Sequence, residues 1–114
     1  MLDRKNRLTK KSEFEKVREE GKVFASDSFS LSIFKREDEG PTRFGFVVSN
    51  KISKAATIRN RAKRALREGV RHSLSYAKAG YDCVFLAKPI IVKKYTDELI
   101  REVQKSLKDA EVTN

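Results

Sequence analysis

Several residue types from which small proteins build chemistry are scarce here. The 114-residue chain has one cysteine, Cys83, and one histidine, His72. A lone cysteine has no internal disulfide partner, and one Cys with one His cannot close a structural zinc site. Tryptophan is absent, and no stretch approaches the ~20 apolar residues needed to span a bilayer. The basic start is followed by no apolar run, so neither secretion nor membrane insertion is expected, and the expected location is cytoplasmic. No nucleophile elbow and no clustered metal-ligand pattern is present, so the chain is not expected to own an active site.

Positive charge is what the sequence has in excess. Lys and Arg number 26 against 16 Asp and Glu, for a net charge of +10 and a pI near 9.9. A polyanion is the natural partner, because cations that displace condensed counterions give salt-sensitive binding to nucleic acid. An anionic membrane surface is the second candidate. Seven Phe and three Tyr, with 39% hydrophobic residues, argue that the chain folds. Its length suits one domain, 1–114, preceded by a basic arm over residues 1–10 that becomes ordered on a partner or on the domain.

Local patterns predict the elements. Ser12 and Glu15 have capping-box spacing, Phe14 and Val17 share a face, and Gly21 stands where a left-handed residue ends a helix, which predicts a helix over 12–20. Val23 to Ala25 suit a short strand. Phe29, Leu31 and Ile33 then alternate with Ser28, Ser30 and Ser32 as a strand with one apolar and one small polar face. An acidic turn, Glu37 to Pro41, leads to a strand over 43–49, predicted to pair with its predecessor as an antiparallel hairpin. Ile58, Ala62, Ala65, Leu66 and Val70 mark a long helix suited to lie on the sheet, ended by Gly80. A strand over 83–87 and a helix over 95–107, with Leu99, Ile100, Val103 and Leu107 inward, complete the chain.

Between Asn50 and His72 the sequence sets Lys51, Lys54, Arg59, Arg61, Lys63, Arg64, Arg67 and Arg71 against the single acid Glu68. Asn60, Lys63, Arg64, Arg67 and Arg71 recur at three- and four-residue steps and so share one helix face. Like charges stacked this way weaken a helix by a few tenths of a kcal/mol per pair, unless an anion neutralises them. An RNA backbone would do so: the arginine fork matches phosphate oxygens, and Asn60 can donate and accept at a base edge or 2′-hydroxyl. The apolar stripe, built of small and aliphatic residues, lacks the Trp or Phe that would penetrate a membrane surface.

The run from Lys51 through Arg59-Asn60-Arg61-Ala62-Lys63-Arg64 to Leu66-Arg67-Glu68 closely resembles the Arg-Asn-Arg motif of the bacterial ribonuclease P protein subunit. The likeness extends over nearly the whole chain, through Arg4-Lys5-Asn6-Arg7-Leu8, Glu13-Phe14-x-x-Val17, Gly45-Phe46-x-Val48-Ser49 and Asp82-x-Val84. It implies an α+β fold, a two-layer α/β sandwich in the order αβββαβα with a left-handed crossover. It also implies a protein that binds a catalytic RNA and helps it remove the 5′ leader from precursor tRNA, with magnesium held mainly by the RNA.

By the same likeness, Arg7, Lys51, Lys54, Arg59, Asn60, Arg61, Lys63, Arg64 and Arg67 are the expected RNA contacts. The leader is expected in a cleft formed by Phe14, Arg18, Ser30 and Ser32. Arg18 stands where many members have a second aromatic residue, and Ser53 where many have glycine. No metal-binding residues are assigned. Two other readings stay open: a ribosome- or structured-RNA-associated protein without a role in cleavage, and a stand-alone nuclease.

Overall fold

The computed structural model describes residues 2–114, and Met1, the first residue of the expected arm, lies outside them. Three helices, α1 (Lys11–Glu20), α2 (Ala56–Ser73) and α3 (Thr96–Asp109), combine with four strands, β1 (Lys22–Ala25), β2 (Phe29–Lys35), β3 (Arg43–Val47) and β4 (Tyr81–Ala87). The order is αβββαβα, and the strands form one sheet in the order β1-β2-β4-β3. β1, β2 and β4 are antiparallel neighbours, while β3 runs parallel to β4 and reaches it by way of α2.

The expected hairpin of β2 with β3 is therefore not formed, because β4 lies between them. Cys83, Val84 and Phe85 are buried on both faces of the sheet, which is what a central strand requires. Asp82 adds a second reason. Its nearly buried carboxylate takes a two-bond contact from Arg43 of β3, Nε at 2.9 Å and Nη2 at 2.8 Å, and a further bond from Arg36 just past β2. One acid thus holds the strands on either side of it.

One face of the sheet packs on α2 and α3. Phe29, Leu31, Ile33, Phe44, Cys83 and Phe85 meet Leu66, Val70, Leu99, Val103 and Leu107 in the main core. α2 packs chiefly on α3 rather than on the strands, and a side chain at Gly69 would bring its Cβ to 2.7 Å from Val103 Cβ. Burial pushes the Cys83 thiol well above its ordinary range, so it is packing material and not a nucleophile. The opposite face carries α1 and the end of the arm, through a small cluster of Leu8, Val17 and Val84 with Phe14, Phe34 and Val47.

Several local expectations are corrected. α1 starts a residue early, and the acid at its start is Glu13, not Glu15: Oε1 of Glu13 accepts the Lys10 N–H at 3.1 Å. Gly21 is extended rather than left-handed, and glycine is needed there because a Cβ would lie 2.3 Å from the Val17 carbonyl oxygen. α2 stops at Ser73, so Gly80 (φ +91°) shapes the turn into β4. The basic start is ordered on the domain. Leu2, Asn6 and Leu8 are buried, and the Leu8 N–H bonds to the Phe44 carbonyl on the outer edge of β3.

Ser28 was expected on the polar face with Ser30 and Ser32, but it is buried under α3. Its N–H and Oγ donate to the Glu102 carboxylate at 2.8 and 2.7 Å, and Ser26 Oγ adds a third bond. Burial works to raise the Glu102 pKa, yet these donors and the nearby Lys94 charge outweigh it and hold the group below its ordinary 4.5. A carboxylate depressed on folding stabilises above its unfolded pKa and loses that contribution as pH falls. Urea midpoints should therefore drop as pH falls below 4.5, and less steeply in Glu102→Gln. Asp82→Ala removes the shared partner of two arginines at 12% and 29% side-chain exposure, which keep Asp38 and Glu13, and should cost about 1–3 kcal/mol in the same assay.

Candidate nucleic-acid interface

α2 stands out because its apolar stripe is narrow and everything else on it is charged. Ala62, Ala65, Leu66, Gly69, Val70 and Ser73 are buried, leaving more than half of the circumference to solvent. At 100° per residue, Asn60, Lys63, Arg64, Arg67 and Arg71 fall on one flank of that stripe, as their spacing predicts. Asn60, Arg64, Arg67 and Arg71 are exposed and Lys63 is half-buried.

The structure separates the expected contacts by what already holds them. Arg59 turns inward at the helix start, and its Nη1 donates to the Ser53 carbonyl at 2.8 Å, which pins the preceding loop. Arg61 leaves the common flank and donates through Nη2 to the Val92 carbonyl at 2.8 Å, in the 3-10 turn Pro89–Lys93. Arg71 forks onto Glu68, whose carboxylate also meets His72 Nε2 at 3.2 Å. Donated hydrogen bonds from Arg71, aided by its charge, bring the Glu68 pKa down to about 2. Arg67 has its guanidinium over the Phe46 ring, 5.7 Å from the centroid.

Two more basic elements adjoin this helix. Asn50, Lys51, Lys54 and Arg59 line one shallow hollow at the start of α2, with Lys51 and Lys54 exposed. Ser53 shapes that loop, since its Oγ accepts the Ala55 N–H and its carbonyl holds Arg59. Arg7 rides on the outer edge of β3, paired in parallel with Phe44, two residues from the Phe46 that carries Arg67. The arm, the edge of β3 and the flank of α2 thus present one basic strip.

The far face of the sheet offers different chemistry. Ser30 and Ser32 alternate with buried Phe29, Leu31 and Ile33 and so point away from α2 and α3, opposite Leu86 and Val84 in the register. Beside them Val23 is 58% exposed and Leu86 38% exposed, an open floor that α1 leaves uncovered. Phe14 is half-buried at the border of this floor, its ring against Gly45 of β3. Arg18, exposed one turn further along α1, lies on the same side. The four residues expected in the cleft therefore share one face.

Sequence reasoning missed two residues that shape this cleft. Gly45 is one: a Cβ there would lie 2.3 Å from Phe14 Cε1, so the ring occupies the space glycine leaves. Glycine inside a strand was the available signal, since it marks close approach. Glu13 is the other. Its Oε2 accepts from Arg43 while Oε1 holds the Thr9 and Lys10 N–H groups, which joins α1 to the ion pair at Asp82. Burial opposes ionisation, but these backbone donors and the Arg43 charge win and lower the Glu13 pKa. No group of three or more His, Cys, Asp and Glu side chains is placed to hold a metal ion among the described residues. In the acidic turn, Asp38 is occupied by Arg36 and the Gly40 N–H. Gly45→Ala should expel the Phe14 ring and destabilise the fold by about 1–3 kcal/mol, read from urea unfolding; an unchanged midpoint would show that the ring yields freely.

Comparison with known proteins bears on the same features. A sequence model of the family described as Ribonuclease P matches residues 2–111. The ribonuclease P protein component of Pseudanabaena sp. is 37% identical over 112 residues, covering 98% of this chain and 97% of the relative. That of Cyanothece sp. is 31% identical over 127 aligned positions, covering 98% and 97%. Among solved structures, the Staphylococcus aureus RNase P protein superposes with a TM-score of 0.87 at 27% identity, covering 96% of this chain and 98% of that one. The Thermotoga maritima RNase P protein gives 0.80 at 25% identity, covering 90% and 96%. With sequence and fold in agreement over nearly its full length, the chain belongs to the family of ribonuclease P protein components, and its place is in an RNase P enzyme that processes tRNA.

Proposed function

We propose that the chain is the protein cofactor of the ribonuclease P ribozyme, binding the catalytic RNA with its basic strip and the single-stranded 5′ leader of precursor tRNA in the cleft beside α1. The observation that carries this reading is the division of labour between the two surfaces. The flank of α2, with Arg7 and the Lys51–Lys54 loop, is charged and suits phosphates of a folded RNA. The cleft instead joins an aromatic ring to small hydroxyl and aliphatic side chains, a surface that suits unpaired bases.

Each part then has a physical role. Base stacking on an aromatic is worth about 1–3 kcal/mol per base and is tolerant of sequence, as a cofactor serving many precursors requires. Ser30 and Ser32 add hydrogen bonds to bases or sugars, and Arg18 screens leader phosphates. The strip lowers the repulsion between two polyanions that must lie side by side. Magnesium, held mainly by the RNA, supplies the hydrolytic chemistry, and the protein positions the substrate. The endonucleolytic cut at the tRNA 5′ end is then made by the RNA in a complex that the protein completes.

The test is cleavage of a precursor tRNA at low magnesium by a bacterial ribonuclease P RNA, with and without the chain, beside a protein-only reaction. Leader removal is expected only when both are present. No stimulation of a competent RNA would favour a structured-RNA-binding protein without a role in cleavage, and cleavage by the chain alone would overturn both readings.

A further inference from the structure

We propose that Phe46 is a positioning residue that orients the Arg67 guanidinium for an RNA phosphate while leaving all of its N–H donors free. The inference rests on the reading that Arg67 meets RNA, and it assigns a role to a sheet residue that faces none of the basic helix residues in sequence.

The arginines of α2 differ in what they have left to offer. Arg59, Arg61 and Arg71 each commit at least one N–H to Ser53, Val92 or Glu68. Arg67 instead holds its guanidinium carbon over the Phe46 ring, 5.7 Å from the centroid, within the range where a cation is attracted to the ring quadrupole. A guanidinium held by a ring rather than by a hydrogen bond commits none of the five donors that match phosphate oxygens. Among the described residues it is the one arginine seated on an aromatic ring; the other such contacts use Lys16, Lys22 and Lys35.

The ring is itself fixed from below. Phe46 stacks on Phe85 with centroids 5.5 Å apart and planes inclined by 10°, and Phe85 meets Phe29 edge-on at 5.1 Å and 71°. Phe29 and Phe85 are fully buried. A ladder of three rings thus crosses β2, β4 and β3 and ends at a guanidinium on α2. Core packing sets the plane of Phe46, and Phe46 sets where the Arg67 guanidinium sits. An unsupported arginine on a surface samples many rotamers and loses that freedom on binding, whereas a seated one has less to lose.

The experiment measures affinity for a bacterial ribonuclease P RNA and its salt dependence, with full-length chains carrying Phe46→Leu, Phe46→Tyr, Arg67→Ala and the Phe46→Leu/Arg67→Ala pair, each checked by thermal unfolding. Arg67→Ala should lower the salt slope by about one unit. Phe46→Leu should weaken binding about two- to five-fold, the size of an exposed cation–π contact. Phe46→Tyr should restore it, and Phe46→Leu should have no further effect beside Arg67→Ala. If Phe46→Leu fails to fold, Phe46→Met replaces it. Equal losses with and without Arg67 would mean a merely structural ring and overturn the proposal, as would wild-type binding by Phe46→Leu when Arg67→Ala is impaired. An unchanged slope in Arg67→Ala would instead remove Arg67 from the RNA surface and take the reading beneath the proposal with it.

Discussion

The carboxylate of Asp82 is the point on which the arrangement of this fold turns. Its side chain is 6% exposed and lies between Arg36, just past β2, and Arg43 of β3, on either side of β4. A buried acid is tolerated only when paired and hydrogen-bonded, and here both oxygens are engaged. Arg43 passes the constraint on to Glu13, and Glu13 to the backbone at the start of α1. Arg36 passes it to Asp38 and the turn before β3. One chain of alternating charges therefore ties a helix, three strands and a loop at the same end of the sheet.

What this clamp protects is an asymmetry. The sheet buries most of one face under α2 and α3, but α1 covers only part of the other. Val23 and Leu86 stand exposed on the part that α1 leaves uncovered. Held at its N-terminal end by Glu13 and set against Gly45 through Phe14, α1 stays at one side and keeps the floor open. The parallel placement of β3 beside β4 has a comparable effect on the other side, because the crossover through α2 brings the basic flank of that helix to the edge that Arg7 also borders. The cleft and the strip are thus products of one topology.

Much of this was legible in local pattern. The seven elements appear where period and punctuation put them, mostly within a residue or two, since alternation in β2 and the narrow stripe of α2 are set by neighbours in the chain. That Ser30 and Ser32 face away from Phe29, Leu31 and Ile33 was legible for the same reason. The pairing of β2 with β3 was misjudged because alternation says which face is buried but not which strand lies alongside. Ser28 was misplaced because its partner, Glu102, is distant in sequence. Gly21 was explained by the wrong cause: a turn signal and a close backbone approach select the same residue.

The sequence by itself determined the excess of positive charge, the helix that presents it and the face that most apolar residues take, Ile58 being an exception at 37% exposure, because each depends on composition or on spacing of a few residues. Tertiary structure alone decided that β4 separates β2 from β3, that Arg59 and Arg61 spend donors on Ser53 and Val92, and that Arg67 rests on a ladder of rings. These features join positions far apart in the chain, and which buried acid meets which arginine, or which ring lies under which cation, is settled only when the whole core packs at once.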